Sequence, residues 1–265
     1  MAGDVVVPGL EGAPAELRSA LRRLLLGLAD TKRLLGIRYS DWLLGAPSIE
    51  AGIAASSMAQ DEWGHARLLY AALRDFGDDP VELEHAREPE GYLSWGPLDE
   101  DADDWAGVVA SMLVLDGVLT EALSGIAEGR YEPLEGRITK MLAEEEFHAS
   151  LATAWFRRLA GSEEGRARLR AATEVILEGA LLGAAPGDDS HERLAAEGLT
   201  LGAGELRGRM ADRLDPLLSL IGLSVPTGAG LPADWDEARG RGPGAPPFDS
   251  IERARGDRNR ALFVE

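Results

Sequence analysis

Apolar residues recur at steps of three and four along most of the chain, and the every-second-residue alternation of a half-buried strand is nearly absent. The pattern predicts helices over residues 15–44 and 49–76. They are broken by Gly45-Ala46-Pro47, with Ser48 as the second helix's N-cap, and the second stops at Gly77-Asp78-Asp79-Pro80. Residues 81–104, with Pro89, Gly91, Gly96 and Pro97, read as a long connection holding one short helix. Two more long helices, 105–128 and 134–160, flank a turn at 129–133. A fifth starts at Gly161-Ser162-Glu163-Glu164 and runs to about residue 182, followed by shorter helices over 191–197 and 203–221. Beyond Ser224 glycine and proline dominate, so 223–265 is expected to be an extended tail that wraps a partner or stays mobile. Residues 1–14 are expected as an N-terminal extension and 15–222 as one helical domain.

Two antiparallel helical hairpins joined by a long crossover make an all-α, ferritin-like four-helix bundle with additional C-terminal helices. Charge then narrows the partners. The 265 residues carry 46 acidic and 27 basic side chains, a net charge of −19, and only Lys32 and Lys140 are lysines. Such a balance argues against nucleic acid, which is bound by a basic face, and against an anionic membrane surface. The absence of cysteine removes disulfides, thiolate zinc sites, iron–sulfur clusters and cysteine nucleophiles. Asp4 and Glu11 occupy the N-terminus without a basic region ahead of an apolar run, and charges interrupt every apolar stretch before a span of about 18–20 residues. A cytoplasmic protein with no membrane partner is expected. Arg18, Arg22, Arg23, Lys32, Arg33 and Arg38 make the first helix locally basic, for which ordinary pairing with the many acids is the favoured reading and a phosphate-bearing substrate tail the functional alternative.

Two segments carry candidate chemistry: Asp61-Glu62-Trp63-Gly64-His65 and Glu144-Glu145-Glu146-Phe147-His148. Each contains Glu-x-x-His, whose members share a helix face and can reach one ion. On the 134–160 helix Ile138, Met141, Glu145, His148, Ala152, Trp155 and Leu159 step by three and four. On the 49–76 helix Ala55, Met58, Glu62, His65, Leu69 and Ala72 do the same. Both motifs therefore face the core, where a carboxylate must be compensated or protonated. On the 105–128 helix Asp116 is the only charge in the seam Val109, Met112, Asp116, Leu119, Leu123, Ile126, and Glu121 falls off it. On the first helix the seam Leu26, Asp30, Leu34, Ile37 gives Asp30 the equivalent place, with Asp41 as a substitute.

Residues at one level of an antiparallel hairpin are equidistant from its turn. The midpoint of Asp30 and Glu62 is position 46, and that of Asp116 and Glu145 lies between 130 and 131, both inside turns. Asp30, Glu62, His65, Asp116, Glu145 and His148 form the expected set of metal ligands. Four carboxylates and two imidazoles are the ligand set of a carboxylate-bridged dinuclear centre. Four carboxylates neutralise two divalent ions, and imidazole suits iron or manganese, so two Fe are expected, with Mn or a mixed Fe/Mn pair as the alternative. Taken singly, each residue has a plainer reading: a surface helix pair for each Glu-x-x-His, a hydrogen-bonded acid for Asp30, an arginine-paired buried acid for Asp116.

The stretches Leu28-Ala29-Asp30, Gln60-Asp61-Glu62-Trp63-Gly64-His65-Ala66-Arg67-Leu68-Leu69-Tyr70, Leu115-Asp116 and Glu144-Glu145-Glu146-Phe147-His148 resemble the phenylacetic acid catabolic family. These are the ferritin-like subunits of the phenylacetyl-CoA ring-epoxidising monooxygenase, and the resemblance runs over residues 15–235. It implies a di-iron monooxygenase acting with O2 on an aromatic or acyl, CoA-linked substrate, with Glu62 and Glu145 bridging. Electrons would come from a separate flavin and iron–sulfur reductase. It also implies two kinds of subunit on one fold. The catalytic kind keeps the iron ligands; the structural kind, which this chain resembles more in length and layout, has a degenerate site. Both intact Glu-x-x-His motifs favour the first. Asp at 30 and 116 departs from the glutamate commoner in di-iron oxygenases, although Asp at the helix-one position resembles the radical-generating subunit of ribonucleotide reductase. The alternatives are a ferritin-like iron-handling protein and a non-catalytic structural subunit. A homodimer or a pair with a paralogous subunit is expected by analogy.

Overall fold

A computed structural model of the chain describes residues 7–228 and 230–256. Nine helices are found among them: α1 (Ala15–Asp41), α2 (Ile49–Leu73), α3 (Pro80–His85), α4 (Trp105–Ala127), α5 (Glu135–Ala160), α6 (Glu163–Ala184), α7 (Asp189–Ala196), α8 (Ala203–Leu218) and α9 (Phe248–Arg255). No strand occurs among the described residues, only one isolated bridge between Asp236 and Arg241. The expected all-α architecture is the one observed.

The caps follow local chemistry. Ser48 Oγ accepts from Ala51 N at 3.2 Å to open α2, and Asp104 and Ser162 do the same for α4 and α6. After α2 a short 3₁₀ turn ends at Gly77, whose φ of 92° suits glycine. The bundle proper is the α1–α2 hairpin against the α4–α5 hairpin; α6 and α8 pack on α4, and α7 and α9 pack on α1. α4 is apolar enough, at a mean hydropathy of 1.7, to cross a membrane, but it is mostly buried inside the protein as a core helix.

α1 departs from an amphipathic helix. Every residue from Leu25 to Tyr39 is buried. The bundle takes one side, and the connection after α3 together with α7 and α9 takes the others. Residues 223–228 and 230–256, expected as part of an extended tail that wraps a partner or stays mobile, lie across this same bundle. Arg241 is buried with its guanidinium on Ser94 O and Asp99, Trp235 Nε1 donates to Asp188 at 3.1 Å, and Arg33 reaches Ala254 O in α9. The stretch stays put because its own polar side chains satisfy backbone carbonyls of the 81–104 connection. At the other end Val7 and Leu10 are buried in the same core, so the described part of the N-terminal extension belongs to the domain as well. His191 is buried, with Nε2 3.1 Å from Leu201 O.

α1 and α2 meet closely at Gly36. A Cβ there would lie 2.5 Å from Trp63 Nε1 and 3.0 Å from the Ala59 carbonyl. Gly36→Ala is expected to force the two helices apart and cost about 1–3 kcal/mol. Chemical denaturation would check this, and an unchanged midpoint would show that the contact yields freely.

Candidate metal centre

The two Glu-x-x-His motifs face each other across the bundle with a pseudo-twofold pattern. His65 on α2 points Nε2 at Glu144 on α5 (2.8 Å), and His148 on α5 points Nε2 at Asp61 on α2 (3.4 Å). Asp61 and Glu144 are half-buried at the rim. Each outer carboxylate holds an imidazole so that its Nδ1 turns inward. This is how a second carboxylate orients a metal-binding histidine.

Inside, Glu62, Asp116, Glu145 and His148 are all buried, and one ligand atom from each lies within 4.8 Å of the others. His148 Nδ1 is 3.0 Å from Asp116 Oδ2, 3.3 Å from Glu62 Oε1 and 3.5 Å from Glu145 Oε2. His65 Nδ1 is 3.3 Å from Glu145 Oε1. Thr120 Oγ1 donates to Glu145 Oε2 at 3.2 Å, and Tyr39 OH to Asp116 Oδ2 at 3.4 Å. Immediately before Asp116, residues Ser111–Leu115 adopt π geometry. A π turn inside an α-helix often marks a functional position, and no residue pattern announces it.

The centre of the cluster is filled by an ammonium group. Lys32 Nζ donates to Glu145 Oε1 at 2.5 Å, Asp116 Oδ1 at 2.9 Å and Glu62 Oε1 at 3.0 Å, with the lysine side chain fully buried. Burial alone would lower the lysine pKa, but the charges of Asp116, Glu145 and Glu62 outweigh it and hold it well above its ordinary value. His148 is likewise disfavoured as a cation by burial, yet its contacts with Asp116, Glu145 and Glu62 raise it far above the usual histidine range. Burial and the neighbouring Asp116 push Glu62 up to about 7, with Lys32 opposing. Glu145 goes the other way: against the cost of burial, Lys32, His148 and His65 lower it well below the carboxylate range. Three carboxylates thus face the Lys32 ammonium and the inward-turned imidazole of His148.

Asp30 is not part of this cluster. Two residues from Lys32 on the same helix, it sits about 200° round the axis. Its Oδ1 accepts from Tyr70 OH at 2.7 Å, and its Oδ2 from Leu93 N at 2.7 Å and Arg87 Nη1 at 2.9 Å. Arg87 Nη2 completes a bidentate pair, and its guanidinium lies over the Tyr92 ring at 4.2 Å. With both oxygens doubly engaged, Asp30 has no lone pair for an ion. Its task is to pin the long connection onto α1. Asp41, the substitute, is bound to Arg253 of α9. Of the six expected ligands, the structure gathers Glu62, His65, Asp116, Glu145 and His148 and leaves Asp30 outside.

The donor set therefore departs from that of a dinuclear centre: α1 contributes a cation in place of the fourth carboxylate. Beside the cluster, between α4, α5 and α8, lies a cavity of about 50 Å³ lined by Met112, Asp116, Thr120, Glu145, His148 and Arg213 among others. An engineered cavity that takes up benzene is about 150 Å³, so this one accommodates water but not an aromatic ring.

Residues 7–242 match the model of a family described as Phenylacetic acid catabolic protein. The chain belongs to that family. One subunit of the 1,2-phenylacetyl-CoA epoxidase of Escherichia coli K12 is 23% identical over 233 residues, covering 85% of this chain and 75% of that protein. The family match spans all four bundle helices and ends in the stretch that lies across them. Membership thus agrees with the resemblance carried by the two Glu-x-x-His segments. The positions the sequence reading missed, Lys32 and the outer acids Asp61 and Glu144, carried one usable signal. Leu21, Leu25, Leu28, Lys32, Leu35 and Tyr39 step by four, three, four, three and four, and every one is fully buried.

Proposed function

We propose that this phenylacetic acid catabolic protein is a non-catalytic subunit of a phenylacetyl-CoA epoxidase-type monooxygenase. In that assembly it supports a paralogous, metal-bearing subunit. The observation that carries this reading is the Lys32 ammonium seated among Glu62, Asp116 and Glu145, the oxygens two metal ions would need. Small divalent ions such as zinc and magnesium bind carboxylate oxygens at about 2.0–2.2 Å, and an iron or manganese ion would need the same space, already held by a cation of like sign. The 50 Å³ cavity points the same way, because a substrate ring has no room beside the cluster. O2, the CoA-linked substrate and the electrons from an external reductase would then meet on the paralogous subunit. The exposed side chains of Leu44, Ile49 and Ile53, near the α1–α2 turn, offer apolar surface for that subunit.

The expectation of a di-iron enzyme draws its support from the remaining donors, Glu62, Asp116, Glu145 and His148, which stay within reach of a single ion. Metal analysis of protein expressed with added iron and manganese separates the two. The expected result is a folded protein without stoichiometric metal. About two metals per chain, the complement of a dinuclear bundle, lost in Glu145→Ala, would overturn the non-catalytic reading.

A further inference from the structure

We propose that Lys32 is a tethered replacement for a metal ion, and that this one side chain keeps an otherwise complete divalent-cation site closed. The inference rests on the non-catalytic reading above and says what holds the core together in place of a cofactor.

Four features of the cluster point to it. The ammonium touches one oxygen of each of the three buried carboxylates at 2.5–3.0 Å, so it sits where an ion would be shared. Both imidazoles present Nδ1 to this point and are fixed from behind by Glu144 and Asp61, an orientation that lysine pairing alone does not require. Coordinating capacity is left over. Glu62 Oε2 is buried without a hydrogen-bond partner, and His65 Nδ1 is buried 3.3 Å from Glu145 without making a hydrogen bond to it. A buried oxygen with a free lone pair is a rare and costly feature in an ordinary ion pair, and a usual one in a ligand shell. Finally, Lys32 enters from the seam of α1 that runs Leu28, Lys32, Leu35 and Tyr39, the face that would present a helix-one carboxylate to the centre.

The donor types suit borderline first-row divalent ions: two imidazoles and three carboxylates, with no thiolate and no ring of carbonyls. Shortening Lys32 leaves a cavity edged by Glu62, Asp116, Glu145 and His148, while a glutamate at 32 supplies the missing fourth carboxylate. The ammonium is the element that excludes an ion, by occupying the space and by repelling like charge at contact distance.

Cobalt(II) titration of the full-length wild type, Lys32→Ala and Lys32→Glu tests this, read by visible d–d absorption, calorimetric stoichiometry and thermal midpoint. The expected result is no site-specific cobalt in the wild type. One ion should bind to Lys32→Ala and two to Lys32→Glu, at least about 100-fold more tightly than any wild-type binding, each raising the midpoint. Should either variant fail to fold unaided, refolding in cobalt or manganese is expected to recover it. A variant that folds yet takes up no ion, or that no divalent ion recovers, would overturn the proposal and leave the non-catalytic reading in place. Two ions bound to the wild type would remove both.

Discussion

Replacing Lys32 by methionine is expected to destabilise the protein by about 3–5 kcal/mol and lower its thermal midpoint by roughly 6–20 °C. Methionine keeps most of the volume of the lysine stem, so packing changes little and the loss is electrostatic. Glu62, Asp116 and Glu145 would then share a dry core with only the imidazoles of His148 and His65 close enough to balance them, and at least one would have to take up a proton. Breaking one side of a buried ionic cluster costs far more than the intact cluster contributes, because the charges left behind have lost both water and partner. Thermal and urea denaturation read the effect directly. A midpoint within a degree or two of wild type would mean the carboxylates are compensated by something other than the ammonium.

Asp30→Asn is expected to cost a similar amount, about 3–5 kcal/mol, by leaving the Arg87 guanidinium without its carboxylate under the connection that covers α1. The amide cannot accept all four hydrogen bonds that now converge on Asp30 from Tyr70, Arg87 and Leu93, and its own NH2 would face the guanidinium. Metal behaviour distinguishes this anchoring task from the ligand task that the first-helix seam suggested. Introduced into Lys32→Glu, Asp30→Asn is expected to leave the cobalt stoichiometry unchanged while lowering stability. A drop from two ions to one would restore Asp30 as a ligand.

Much of the fold is legible along the chain because it is local. The periodic seams of α2, α4 and α5, the cap at Ser48 and the breaker at Gly77 are set within a few residues, and helix ends fell within about three positions of where pattern and turn chemistry put them. The midpoint of Asp116 and Glu145 also held as a statement about depth, since both reach the Lys32 ammonium. Position 47, the midpoint of Lys32 and Glu62, lies in the same turn as position 46, so the level of the site was readable to within one helical turn.

Direction round α1 was not readable. Periodicity identifies the core-facing side of a helix by contrast with a solvent-facing side, and α1 has no solvent-facing side between Leu25 and Tyr39. Two interleaved seams, one through Asp30 and one through Lys32, look equally buried in sequence, and only the carboxylate of Asp30 matches a metal-ligand set. The Arg87–Tyr70–Leu93 cage that claims Asp30 comes from residues 40–63 positions away, and the tail that lies across the bundle comes from farther still.

By itself, then, the sequence determined the bundle helices, their pairing, the family, and the inward placement of Glu62, His65, Asp116, Glu145 and His148, since each depends on spacing within one helix or one hairpin. Only the tertiary structure decided which face of α1 meets those residues, and with it whether the fourth group in the core is a carboxylate or an ammonium. A rotation of about 200° round one buried helix, set by what covers its far side, exchanges the two. That packing separates a ligand set from an ion pair.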